Sequence, residues 1–220
     1  MGAKAPHAPP RAGGVDGNER LTGATAAVLF VLLLVEGITI LSLDQLLPLH
    51  LLIGVALIPP VLLKIGSTGY RFARYYLHDD DYVRRGPPAL LLRVIGPVVV
   101  LSTITVLASG VALLLAGPHH DQLTAIHKVS FIVFFAVTAV HVLAHVAKVP
   151  RQTAADWHAS SRLPGGSARR LAVVLSVVVG LALGAAAIGI DGAWVHRHHH
   201  REGRATPFAD PGGWVHVGDQ

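Results

Sequence analysis

Cysteine is absent from this chain. Its absence excludes iron–sulfur clusters held by thiolates, haem attached covalently through C-x-x-C-H, and disulfides. Methionine occurs only at position 1, so no thioether is placed inside the chain to bind a metal. Charge is also scarce. Asp, Glu, Lys and Arg make up 14% of the 220 residues against 52% hydrophobic, and the mean hydropathy is +0.53. That is the profile of a membrane protein rather than of a soluble core. No glycine-rich nucleotide fingerprint is present, which argues against direct oxidation of a nicotinamide cofactor.

What the chain has in quantity is long apolar runs. Five of them, near 21–42, 47–66, 94–117, 123–147 and 169–190, are long enough to cross about 30 Å of hydrocarbon. The expected fold class is all-α, an integral membrane helical bundle of five transmembrane helices over residues 21–190. A disordered cytoplasmic tail is expected over 1–20, with no evident cleavable signal, and a histidine-rich external tail over 191–220. Of the 18 Lys and Arg, 14 fall in the groups 4–20, 64–93 and 148–170, and the short connections after the first and third spans carry none. The positive-inside rule then places the N-terminus in the cytoplasm and the C-terminus outside. The net charge of +5 reads as topology and attraction to anionic membrane lipid, not as nucleic-acid binding.

Histidine is the polar residue that this apolar setting makes conspicuous, because an imidazole is costly to strip of water. The fourth span, LTAIHKVSFIVFFAVTAVHVLAHV, carries His127, His141 and His145. At about 100° per residue, 14 steps return to within about 40° of the start and 18 steps nearly to it. The three rings therefore share one face, with His127 about 21 Å of helical rise from His141.

The first four spans also read as two copies of one hairpin. VEGITILSLDQLLPLHLLIGVALIPPVLLKIG and ASGVALLLAGPHHDQLTAIHKVSFIVFFAVTAVHVLAH align on Gly37 and Gly110. Each copy passes a short outside turn and reaches a histidine early in the next helix, His50 and His127. The two rings then lie at similar depth on parallel helices. Facing imidazoles of this kind suit the two axial positions of a haem iron, and Gly37, Gly54 and Gly110 would let a macrocycle approach the backbone. The plainer reading is that each histidine bonds a neighbouring carbonyl or caps a helix entrance.

Histidines so placed on parallel membrane helices resemble the b-type membrane cytochromes, including respiratory cytochrome b and the formate dehydrogenase gamma subunit. The resemblance covers residues 21–149, and the spacing of His127 and His141, 14 residues apart, is similar to family helices that carry ligands for two stacked haems. The phrase HLLIGVALIPPVLLKIGSTGYRFARYY is also similar to actinobacterial membrane proteins of this cytochrome-like type. The resemblance implies haem b, electron transfer to or from quinone, and a bacterial cytoplasmic membrane. It further implies service as a subunit of a larger oxidoreductase, for example one with a molybdopterin protein as redox partner.

The chain departs from the two-haem pattern at Lys64, which stands 14 residues after His50 where a second histidine is expected. A protonated lysine has no lone pair to offer iron. His78 is 28 residues beyond His50 and too deep to pair with His141. The ligand chemistry therefore argues for one haem where the resemblance implies two. His141 and His145 are left to line a quinone pocket, bond a propionate, bond within the bundle, or hold a transition metal through their i, i+4 spacing.

Glu36 reads either as a proton acceptor or potential-tuning group, or as a carboxyl bonded to a neighbouring helix. Pro59 and Pro60 predict a kink in the second span, and Tyr70, Tyr75 and Tyr76 predict interfacial anchoring. Gly180 and Gly184 form a G-x-x-x-G face in the fifth span, suited to packing on the bundle or on a second copy as a homo-oligomer. His119 and His120 in the outer turn, with His196, His198, His199, His200 and His216 in the tail, offer metal-binding chemistry or plain solubility. The expected function is that of a b-type cytochrome with a four-helix haem-binding core and one extra helix. A metal or proton transporter and a haemless membrane anchor are the competing readings.

Overall fold

The computed structural model describes residues 14–84, 86, 90–117, 120–146 and 165–202. Among the described residues there is no strand, and the chain forms helices α1 (Val15–Ile40), α2 (Leu43–Ala56), α3 (Ile58–Tyr76), α4 (Asp80–Val83), α5 (Leu90–Ala116), α6 (Asp121–Val146) and α7 (Gly166–Glu202). Helices α2 and α3 run on as one span, Leu43–Tyr76. Five helices are thus long and apolar enough to cross a membrane, which is compatible with a multi-pass membrane protein. The helical boundaries exceed the apolar runs at both ends of the chain. Helix α1 begins at Val15, inside the expected tail, and α7 continues to Glu202, through much of the histidine-rich tract.

Local chemistry sets the breaks. Leu41 and Ser42 close the end of α1 through bonds to the carbonyls of Ile38 and Thr39, at 3.1 and 3.4 Å, and the chain turns straight into α2. Helix α5 ends at Gly117, whose φ of +90° lets its N–H reach the Leu113 carbonyl at 2.8 Å. Helix α3 ends with His78 in the left-handed region at φ +58°. Its N–H bonds the Tyr75 carbonyl and the Asp79 N–H bonds that of Arg74, at 3.2 and 3.1 Å, which caps the helix. Where a kink is expected in the second span, the helix is interrupted at Leu57, whose backbone stays helical, with Pro59 and Pro60 in the first turn of α3. Neither proline has an N–H, so the carbonyls of Val55 and Ala56 lose their usual partners. The ladder resumes with the Val61 N–H on the Leu57 carbonyl at 3.0 Å.

Packing departs from a four-helix core with a fifth helix outside it. Helix α7 lies tightly against α2, and α1, α2, α3 and α7 form one group. Leu29, Ile53, Leu57 and Val61 are the buried centre of that group. The close approach comes from Gly180 and Gly184, where an added Cβ would collide with the backbone carbonyls of Ala56 and Leu52. The Ala56 carbonyl is one of those freed by the prolines, and glycine is what lets the backbone of α7 reach it. This G-x-x-x-G face is occupied within the chain, so a second copy would have to use another surface. Helices α5 and α6 form a separate tight hairpin that meets the rest mainly through α5. Helix α6 is the outlying one: Val129, Ile132 and Phe135 are each more than 60% exposed.

At the end of α3 away from His50, the Arg74 guanidinium sits between two aromatic rings, 5.9 Å from the centre of Tyr70 and 6.0 Å from that of Tyr82, and pairs with Asp79. Tyr82 is buried, whereas Tyr70 and Tyr76 are exposed, as side chains meeting an interface would be. Burial pushes the Tyr82 phenol above its ordinary pKa, and the nearby Tyr70 adds to this, while Arg74 opposes it.

Candidate functional site

The antiparallel turn between α1 and α2 places His50, in the second turn of α2, opposite the last turns of α1. Its Nδ1 lies 2.9 Å from Glu36 Oε1 and 3.0 Å from Thr39 Oγ1. The Thr39 hydroxyl donates to the Glu36 carbonyl at 2.6 Å, which commits its proton. With Glu36 ionised, both neighbours of Nδ1 accept, and the imidazole proton then belongs on Nδ1. Thr39 is fully buried and the Glu36 side chain is only 13% exposed, so the bond is sheltered from solvent.

The turn between α5 and α6 builds the same thing again. His127, in the second turn of α6, brings its Nδ1 to 3.1 Å from the Val106 carbonyl and 3.1 Å from Ser109 Oγ. Ser109 in turn donates to the Val106 carbonyl at 3.0 Å. A carbonyl can only accept, so here too the proton sits on Nδ1. In both halves the Nε2 lone pair is left for another partner.

The two histidines meet. Their ring centroids are 6.4 Å apart and their planes stand at 86°. A metal–imidazole bond of about 2 Å and about 1 Å from nitrogen to ring centre would put the centres of two imidazoles on opposite sides of one metal roughly 6 Å apart. The donor chemistry and the 6.4 Å separation are compatible with two imidazoles sharing one metal, and histidines that bind metals usually give the other N–H to a carboxylate or carbonyl. Two of the three glycines named from the sequence lie against the site's own side chains. A Cβ at Gly110 would sit 3.1 Å from the His127 ring, and one at Gly54 would sit 3.2 Å from Glu36 Oε1. They make room for the histidine and for its partner. Gly37, in contrast, faces open space.

His141 is half-buried on α6, and the side chain of His145 lies outside the described residues. Lys64 donates to the Thr22 carbonyl at 2.9 Å, within a cluster in which Thr22 and Asn18 also bond Ser67. Among the described residues no group of three or more His, Asp or Glu could hold a metal ion. His119 and His216, and the side chains of His196, His198, His199 and His200, lie outside the described residues. A shallow apolar hollow on the α5–α6 seam is lined by Thr105, Ala125, Ile126, Val129 and Ser130, without a histidine.

Thr39, Val106 and Ser109 were not among the expected site residues. The repeat carried a signal for Ser109: aligned on Gly37 and Gly110, it occupies the position of Glu36, immediately before the glycine. Each of these two residues holds the Nδ1 of the following histidine.

No protein-family model matches the chain, and neither a curated protein nor a solved structure matches it. The class that fold and site define is an all-helical protein with five membrane-length helices and two facing imidazoles.

Proposed function

We propose that this protein is a membrane b-type cytochrome that holds a non-covalent haem b between His50 and His127. The observation that carries the reading is the pair of rings 6.4 Å apart, each with Nδ1 committed to its own hairpin. Bound there, haem supplies the one-electron chemistry of its iron. The chain's own task would be to offer the two Nε2 lone pairs to the iron and keep the rings from rotating. Glu36 with Thr39, and Ser109 with the Val106 carbonyl, do the latter. No cysteine fixes the cofactor, so it would be extractable by acid acetone.

Electrons would pass between a membrane donor such as quinol and a redox partner, with the chain acting as a subunit of a larger oxidoreductase. The distribution of basic residues supports a cytoplasmic N-terminus, which would put the His50–His127 end of the bundle near the external face. The sheltered Glu36–His50 pair also suits a proton-transporting dyad, which is the second reading. An absorption spectrum of the detergent-purified, reduced protein separates the two. Sharp low-spin haem b bands that disappear or turn high-spin in both His50→Ala and His127→Ala support the cytochrome. A colourless protein expressed with ample haem rejects it.

A further inference from the structure

We infer that Glu36 and Ser109, the matching residues of the two halves, make His50 and His127 unequal donors, with Glu36 holding the potential of a bound iron low. This rests on the haem reading above. Both residues precede the aligning glycine, and both meet the Nδ1 of a histidine that their own hairpin brings round, at 2.9 and 3.1 Å. The geometry is repeated but the chemistry is not. On the α2 side Nδ1–H gives its proton bond to a carboxyl oxygen. On the α6 side it gives it to a backbone carbonyl and a hydroxyl oxygen, both neutral.

A carboxylate accepting from Nδ1–H pulls that proton toward itself, pushes electron density into the ring and makes Nε2 the more basic donor, which favours the oxidised, more positive iron. A neutral carbonyl does this more weakly. Two further observations set Glu36 apart from an incidental polar contact. Gly54 leaves room for its carboxyl, since a Cβ there would press on Oε1 at 3.2 Å. Its other oxygen, Oε2, is buried without a hydrogen-bond partner among the described residues. A buried acceptor left in that state costs stability, and the bond to His50 is the one the carboxyl makes among the described residues. Glu36 acts through His50 and is a positioning residue, not a ligand.

The test is a mediated redox titration of the detergent-purified holoprotein, with its low-spin spectrum as a check on ligation. Glu36→Gln keeps an acceptor of the same shape without the charge. It should raise the midpoint by about tenfold in the oxidation–reduction equilibrium, about 59 mV for one electron. Ser109→Ala, which leaves the Val106 carbonyl in place, should move it far less. The mirror variant Ser109→Asp puts a carboxyl on the His127 side and should lower the midpoint. It decides the matter if Glu36→Gln does not fold. A Glu36→Gln midpoint that moves no more than that of Ser109→Ala, or a Ser109→Asp midpoint that stays or rises, overturns the inference while leaving the haem reading intact. A wild-type protein that takes up no haem overturns the haem reading itself, and the inference with it.

Discussion

Gly37 and Gly110 are the same residue at matching places in the two hairpins, yet alanine should act on them in opposite directions. At Gly37 an added Cβ meets nothing within 4 Å. The substitution there should be worth the ordinary helix gain of about 1 kcal/mol. At Gly110 the same methyl falls 3.1 Å from Cε1 and 3.5 Å from Nδ1 of His127. That ring cannot retreat freely, because its Nδ1 is already held at 3.1 Å by both Ser109 and the Val106 carbonyl. Overpacking of this kind costs about 1–3 kcal/mol, which offsets or exceeds the helix gain. The two variants should therefore differ by roughly 1–3 kcal/mol, with Gly110→Ala the less stable. Thermal unfolding in detergent, followed by circular dichroism on haem-free protein, reads this difference. On haem-loaded protein, Gly110→Ala should also weaken or broaden the low-spin bands, because it moves the imidazole. Equal stability of the two variants, together with an unchanged Gly110→Ala spectrum, would refute the contact and the positioning it implies.

Gly180→Ala or Gly184→Ala should prise α7 from α2 by driving a methyl into the carbonyl of Ala56 or Leu52, at a cost of about 1–3 kcal/mol in the same unfolding assay. A variant as stable as wild type would show that the helices do not touch there. His141→Ala should retain about one haem per chain, since Lys64 is engaged with Thr22 and offers the deeper position no lone pair. A reproducible wild-type ratio near two, with one lost in the variant, would contradict this. Because burial raises the Tyr82 pKa, the folded state favours the neutral phenol. The stability this contributes is present below about pH 10 and lost as pH climbs through the folded pKa. Ultraviolet titration should show a late-ionising phenol that is missing in Tyr82→Phe, and an identical titration curve for the variant would reject it.

The apolar run lengths alone located the five spans, because hydrocarbon thickness dictates them and side-chain detail hardly enters. The junction at Leu57 was equally legible, since a pair of prolines removes two consecutive N–H groups wherever it stands. Which helix packs on which was not. In a chain whose spans are all apolar, periodicity cannot choose neighbours, and the decision falls to a few glycines. Gly180 and Gly184 signalled a close approach, but nothing in their spacing named Leu52 and Ala56 as the surface approached. The site divides along the same line. The repeat put His50 and His127 at like positions in α2 and α6, and the structure brings their rings to 6.4 Å with planes at 86°. Thr39 and Ser109 were passed over because serine and threonine in apolar helices usually bond their own backbone, as these two also do. Their second contacts, to the histidines, appear only once the hairpins are folded.

Electron paramagnetic resonance of the oxidised, haem-loaded protein tests the central claim most directly. Two imidazoles on one iron give a low-spin ferric signal, and planes near the observed 86° make that signal strongly anisotropic. Such a signal is expected in the wild type, with conversion to high spin or loss of haem in both His50→Ala and His127→Ala. A high-spin wild type, or a low-spin signal that survives both substitutions unchanged, would contradict the assignment of these histidines as the iron's two ligands.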